Sequence, residues 1–246
     1  MEELSHVVNV GELHIPENIE AIISFVQNTD MQPLLIGIRT AIGMRSLSDR
    51  WFLRKVSRFY REIENVPQAK QKAFARKLRS EGKVQRMGEA LLSCIERANR
   101  EDKAAIAGKV FRAYLLEELI VNEESSAFSV GGTRQVTTDE LDRIFNDIEV
   151  SYVGDLQNFV LWFLDVSLRN TQSWKNLTPY HFDVSKLTQT SFVRQKVGLT
   201  TRAYAYGGSD FELKYAPTPL GTAFAKVMIP SIENGHEFLN YLSKVN

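Results

Sequence analysis

A single cysteine, Cys94, in 246 residues leaves no partner for an intramolecular disulfide and removes any cysteine-based zinc site. The four histidines, His6, His14, His181 and His236, lack the H-x-x-x-H or H-E-x-x-H spacing that puts two ligands on one helix face. A metal centre would have to be assembled from separate segments, and neither a metal nor a cofactor is expected. No apolar run approaches the roughly 18 residues that a membrane-spanning helix needs. The chain starts Met1-Glu2-Glu3-Leu4, acidic where a secretory signal carries a basic flank, so a reducing cytoplasm is the expected location. Net charge is also lacking, since 30 Lys+Arg balance 30 Asp+Glu. With 43% hydrophobic and 24% charged residues, the composition is that of an ordinary soluble, globular chain rather than a disordered one.

The balanced total hides a segregation. Residues Arg39 to Arg86 hold fourteen cations against four carboxylates (Asp49, Glu62, Glu64, Glu81), a balance of +10. Residues Leu115 to Asp155 hold ten carboxylates against Arg134 and Arg143, a balance of −8. Two halves of opposite charge attract each other within one molecule or between two copies. The basic half alone would also suit a polyanion. Self-complementarity is the favoured expectation, because a nucleic-acid binder usually keeps a net basic domain.

Most of the chain has helical grammar. Ile19, Ile22, Ile23 and Val26 recur at helical spacing behind Pro16, predicting a helix over 15–28. The apolar run 32–44 predicts a buried helix, with an interfacial membrane segment as the competing reading. From Ser48 to Glu64, with Ser48 or Asp49 as cap, Phe52, Val56, Phe59 and Ile63 line one face, widened by Trp51, Leu53 and Tyr60. Arg54, Lys55, Arg58 and Arg61 are expected on the opposite, basic surface. Pro67 suits the first position of a helix through Ala69–Arg79, and further helices are predicted over 84–97 and 103–119. Val121–Val136 is polar and Gly-rich and reads as a loop. Thr137 and Glu140 have the spacing of a capping box, and a last body helix is expected from about Asp155. The polar stretch Arg169–Thr178 marks a boundary between a helical domain, 1–170, and a smaller unit, 180–246.

That unit changes pattern. A short helix is predicted over Lys186–Val197, then a hairpin from Thr200–Tyr206 through Gly207-Gly208-Ser209-Asp210 to Phe211–Tyr215. Thr218-Pro219 opens a further helix, with Phe224, Val227 and Met228 inward, and a tail helix is expected from about Ile232 to Val245.

The candidate chemistry is thin. Cys94 sits beside an apolar face and reads as a buried thiol. His181 with Tyr180 and Asp183 could relay a proton, but it reads first as an ordinary loop histidine. Gly131-Gly132-Thr133-Arg134 lacks the P-loop pattern. Asp139, Glu140 and Asp142 are clustered, as are Asp147 and Glu149, and paired carboxylates are what a metal-dependent nuclease would need. They are equally the normal contents of a first helical turn and a solvated face. No catalytic residue is assigned.

Two resemblances add to this. Tyr215-Ala216-Pro217-Thr218-Pro219-Leu220-Gly221-Thr222-Ala223-Phe224 is similar to the strand-into-helix phrase of winged-helix proteins, with Pro217 where an apolar residue is usual. Phe52–Phe59 (F-x-x-K-x-x-x-F) and Lys103–Tyr114 (K-x-x-x-x-G-x-x-F-x-A-Y) resemble segments of uncharacterised bacterial proteins of prophages and mobile islands. Together they imply a mostly α fold whose helical body is followed by a small winged-helix-like unit with one β-hairpin. The winged-helix likeness implies DNA contacts through Lys186, Arg194, Lys196, Arg202, Tyr204 and Tyr206. The expected function is a non-enzymatic binding or regulatory protein in phage–host conflict or a mobile element, acting through protein contacts or self-association, with DNA as a secondary partner. The alternatives are a peripheral membrane effector using segment 32–58, with Arg45, Arg50, Arg54, Lys55 and Arg58 toward anionic lipid, or a nuclease-type enzyme with an unrecognised site.

Overall fold

In a computed structural model, residues 18–44, 47–98, 100–122, 132–168, 175–176, 185–200 and 210–231 are described. Helices α1 (Ile19–Thr29), α2 (Gln32–Met44), α3 (Leu47–Ile63), α4 (Gln68–Glu81), α5 (Val84–Glu96) and α6 (Glu101–Leu115) follow one another through short turns. Strands β1 (Ile120–Asn122) and β2 (Thr133–Gln135) form a small antiparallel ladder ahead of α7 (Thr138–Val150) and α8 (Val153–Leu168). Strands β3 (Lys175–Asn176), β4 (Val193–Thr200) and β5 (Asp210–Pro217) make an antiparallel sheet in the order β3-β5-β4, and α9 (Pro219–Met228) follows. The chain is mostly helical with a small hairpin sheet.

The core is organised around two aromatic groups. Phe111 of α6 is fully buried and meets Phe25, Phe59, Phe74 and Phe145, with Phe59 stacked at 5.8 Å and Phe74 edge-on at 5.3 Å. Farther along, Phe192 stacks on Phe224 at 4.4 Å and on Phe159 at 5.8 Å. Each such side chain contributes roughly 1.5–3 kcal/mol by leaving water. Helices α3 and α6 approach closely because Gly108 lacks a side chain, a Cβ there standing 2.6 Å from the Phe59 carbonyl oxygen. Gly221 plays the same part in α9, where a Cβ would lie 2.1 Å from the carbonyl oxygen of Phe192.

Local signals in the sequence map onto real caps. Thr137 accepts from the Glu140 amide at 3.3 Å while the Glu140 carboxylate accepts from the Thr137 amide at 2.9 Å, closing the capping box. Thr218 caps α9 with Pro219 in its first turn. Pro67, expected inside a helix, is instead the residue before α4. Likewise α3 begins at Leu47, so Ser48 and Asp49 lie within its first turn rather than capping it.

Three expectations are corrected. Lys186–Val197 is not a helix: a 3-10 turn at Ser185–Leu187 precedes β4, which pairs with β5 from Val193↔Pro217 to Thr200↔Asp210. The hairpin thus begins seven residues earlier than Thr200, and tertiary pairing overrides the weak helical pattern. The ends of the expected loop 121–136 are strands, too short for alternation to reveal them. Trp51, expected to widen the apolar stripe of α3, is 43% exposed on its charged side. The predicted tail helix lies outside the described residues.

Candidate interaction surface

The segregated charges meet inside the molecule. Lys83 contacts Asp139 at 2.8 Å and Glu81 at 3.3 Å, and Arg86 contacts Asp142 at 2.5 Å and Asp139 at 3.6 Å. Arg97 holds Glu149 at 2.7 Å, and Lys70 holds Glu117 at 2.8 Å. Lys70 of α4, Arg86 of α5 and the flanking Lys83 and Arg97 are thus engaged by α7 and the turn after α6, while Arg79 of α4 pairs with Asp30 at 2.8 Å. Hydrogen bonding to Lys83 comes first among the causes that lower the Asp139 carboxyl, and the same bond raises the Lys83 ammonium.

The clustered carboxylates are held in that framework. Glu140 takes a two-pronged contact from Arg134 at 2.7 and 2.8 Å, which with the cap brings its pKa down to about 2. Asp147 accepts from the Ser191 amide at 2.8 Å and from its hydroxyl, tying α7 to the turn before β4. Burial nonetheless pushes the Asp147 carboxyl above its ordinary value. Among the described residues no group of three or more His, Cys, Asp or Glu is placed to hold a metal ion. Cys94 is buried, and burial raises its thiol to about 12. His6, His14, His181 and His236 lie outside the described residues, as do Tyr180, Asp183 and Gly131; Thr133 and Arg134 belong to β2.

Of the four basic residues expected on the α3 surface, Lys55 is a correction. It is 4% exposed, and its ammonium donates to the backbone carbonyls of Glu96 and Ala98, the latter at 3.2 Å. The last carbonyls of α5 lack partners within their own helix, and a cation there meets the negative end of the helix dipole. Lys103 does the same for α7, donating to the Glu149 carbonyl at 2.8 Å. Desolvation is the main cause lowering the pKa of both lysines. Lys55 and Lys103 are the lysines of the F-x-x-K-x-x-x-F and K-x-x-x-x-G-x-x-F-x-A-Y patterns, and both serve packing.

What remains on α3 is a stripe. Trp51, Arg54, Arg58 and Arg61 follow at spacings of three, four and three, one helical face, with Arg50 alongside. Trp51, Arg54 and Arg61 are exposed, and Arg58 makes only a long contact, 3.9 Å, to Glu62. Arg50, Arg54 and Arg61 form no ion pair among the described residues. At Arg58 the stripe reaches a cleft of about 190 Å³ between α3, α6, α8 and α9. Ile106, Leu156, Val160, Phe224 and Met228 supply apolar walls, while Arg58, Lys109, Asp102 and Gln157 are its polar lining. Asp102 is paired to Arg100 at 2.9 Å.

The hairpin residues are dispersed by comparison. Lys186 is exposed, 3.8 Å from Asp155, and Arg194 is half-buried opposite Ala216 in the ladder. Lys196 lies in β4 opposite Lys214, whereas Arg202, Tyr204 and Tyr206 fall outside the described residues. Sequence reasoning missed the cleft, whose lining comes from helices more than a hundred residues apart and leaves no local pattern. Trp51 did carry a signal, since it is in phase with Arg54 and Arg58. No helix among the described residues is long and apolar enough to cross a membrane. Comparison with protein-family models, curated proteins and solved structures yields no match to this chain.

Proposed function

We propose that this is a non-enzymatic binding protein that presents the α3 stripe to an acidic partner protein. One observation carries the reading: Arg54 and Arg61 are exposed, have no ion pair among the described residues and share a helix face with an exposed Trp51, whereas Lys70, Arg79 and Arg86 are held by carboxylates of the same molecule. Arginine and tryptophan together are the residues that most often anchor protein interfaces, arginine through a planar fork that fits carboxylates. An exposed tryptophan on the same helix face as these arginines favours a protein over a bare phosphate backbone. The likeness of Phe52–Phe59 and Lys103–Tyr114 to proteins of prophages and mobile islands puts the partner in phage–host conflict, in a cytoplasmic setting.

The winged-helix likeness of Tyr215–Phe224 has a smaller part in this reading. Among the described residues, 185–192 hold a 3-10 turn and no α-helix directly ahead of the hairpin, so in this reading the hairpin is a packing unit that seats α9. The test is binding of the full chain to three probes across a salt series: a glutamate-rich helical peptide, random duplex DNA, and anionic vesicles. Peptide binding that falls at least tenfold in Arg54→Glu/Arg61→Glu supports the reading. DNA or vesicle binding lost in the same variant, without peptide binding, overturns it in favour of a phosphate-bearing partner.

A further inference from the structure

We infer that the cleft beside Arg58 receives one large apolar side chain from the acidic partner, making the α3 stripe and the cleft a single composite docking site. The inference rests on the acidic-partner reading and extends it to the partner's chemistry: an amphipathic acidic segment with an aliphatic or aromatic anchor. Size decides between ligand classes. A cavity of about 150 Å³ accommodates a benzene ring, whereas sites for cofactor-sized molecules run from roughly 300 to 1,000 Å³. At about 190 Å³ the cleft fits one leucine, phenylalanine or methionine and little else.

Its chemistry agrees with its size. Ala105, Ile106, Val153, Leu156, Val160 and Phe224 give an apolar floor. Arg58 belongs to both features, lining the cleft while continuing the face of Arg54 and Arg61. Arg58 has a 3.9 Å contact to Glu62, and from it positive charge continues along exposed Arg54 and Arg61. An entering segment thus meets apolar walls at its anchor and positive charge beside it, the arrangement of a hot spot within a charged rim.

The test uses the full chain and a fluorescent helical peptide with glutamates on one face and a single leucine on the other. The expected results are a loss of at least tenfold on changing that leucine to alanine, and a similar loss in Gln157→Trp, which fills the cleft from an exposed position. The alanine-anchored peptide should bind wild type and Gln157→Trp equally. The methyl resonance of Met228, followed in the unmodified protein, should shift with the leucine peptide and stay still with the alanine peptide. Binding that responds to Arg54→Glu/Arg61→Glu but ignores the anchor and leaves Met228 unmoved overturns the cleft while leaving the acidic-partner reading standing. Absence of peptide binding in wild type overturns both.

Discussion

Gly108 of α6 lies against Phe59 of α3 so closely that a Cβ on Gly108 would stand 2.6 Å from the Phe59 carbonyl oxygen and 2.9 Å from the Glu62 Cβ. Neither neighbour is the end of a flexible side chain, so a methyl group must push the two helices apart. Gly108→Ala is expected to destabilise the protein by about 1–3 kcal/mol in urea unfolding. Gly43→Ala in α2, with nothing within 4 Å, should instead be neutral or gain up to about 1 kcal/mol through helix propensity. Equal effects at the two positions would show that α3 and α6 are not in this contact.

The arginines and the lysine of α3 should separate sharply. Arg54→Glu and Arg61→Glu change exposed side chains without ion pairs among the described residues, and stability should move by no more than roughly 0.5 kcal/mol. Lys55→Met strips the Glu96 and Ala98 carbonyls of their donor and should cost about 1–3 kcal/mol. Chemical denaturation of the three variants side by side makes the comparison, and a tolerated Lys55→Met would mean that water takes over the capping.

Cys94 should be nearly inert in the folded protein. With its thiol pushed up to about 12, the thiolate fraction at mildly alkaline pH is on the order of a thousandfold below that of a free cysteine. Iodoacetamide labelling followed by mass is expected to require unfolding, and rapid modification under native conditions would contradict the burial.

Acid sensitivity has two opposed contributions. Glu140 has its folded pKa lowered from 4.5 to about 2, so its stabilising effect is complete above pH 4.5 and is lost as pH falls toward 2. Asp147 has a raised folded pKa, so the folded state takes up its proton before the unfolded state, and falling pH relieves its burial cost. Glu140→Gln should therefore flatten the acid decline of stability, and Asp147→Asn should steepen it. Denaturation curves from neutral pH to pH about 2 would show either slope.

Much of this fold can be read locally. The spacings of Phe52, Val56, Phe59 and Ile63, the Thr137–Glu140 box and the Thr218-Pro219 start all report helices because their physics is confined to a few residues. What fails is what depends on distant partners. Lys55 is indistinguishable in sequence from Arg54, and only the end of α5 lying against it makes it a buried cap. Residues 193–197 become a strand because β5 pairs with them, an event twenty residues downstream. The cleft combines Arg58 with Met228, and no pattern within a helix foretells such a meeting.

The clamp at the base of the hairpin has one more consequence. Phe192 accepts the Thr218 amide at 2.9 Å, its ring is stacked on Phe224, and Val193 pairs with Pro217. Entry and exit of the hairpin are thus fastened to each other and to the body before the first rung of the ladder is complete. Chain between two such fixed points can lengthen at small entropic expense, since closing a loop grows costlier only with the logarithm of its length. The segment from 194 to 216 is in that sense a cassette. Changing the number of residues between the two strands should therefore leave the helices in place.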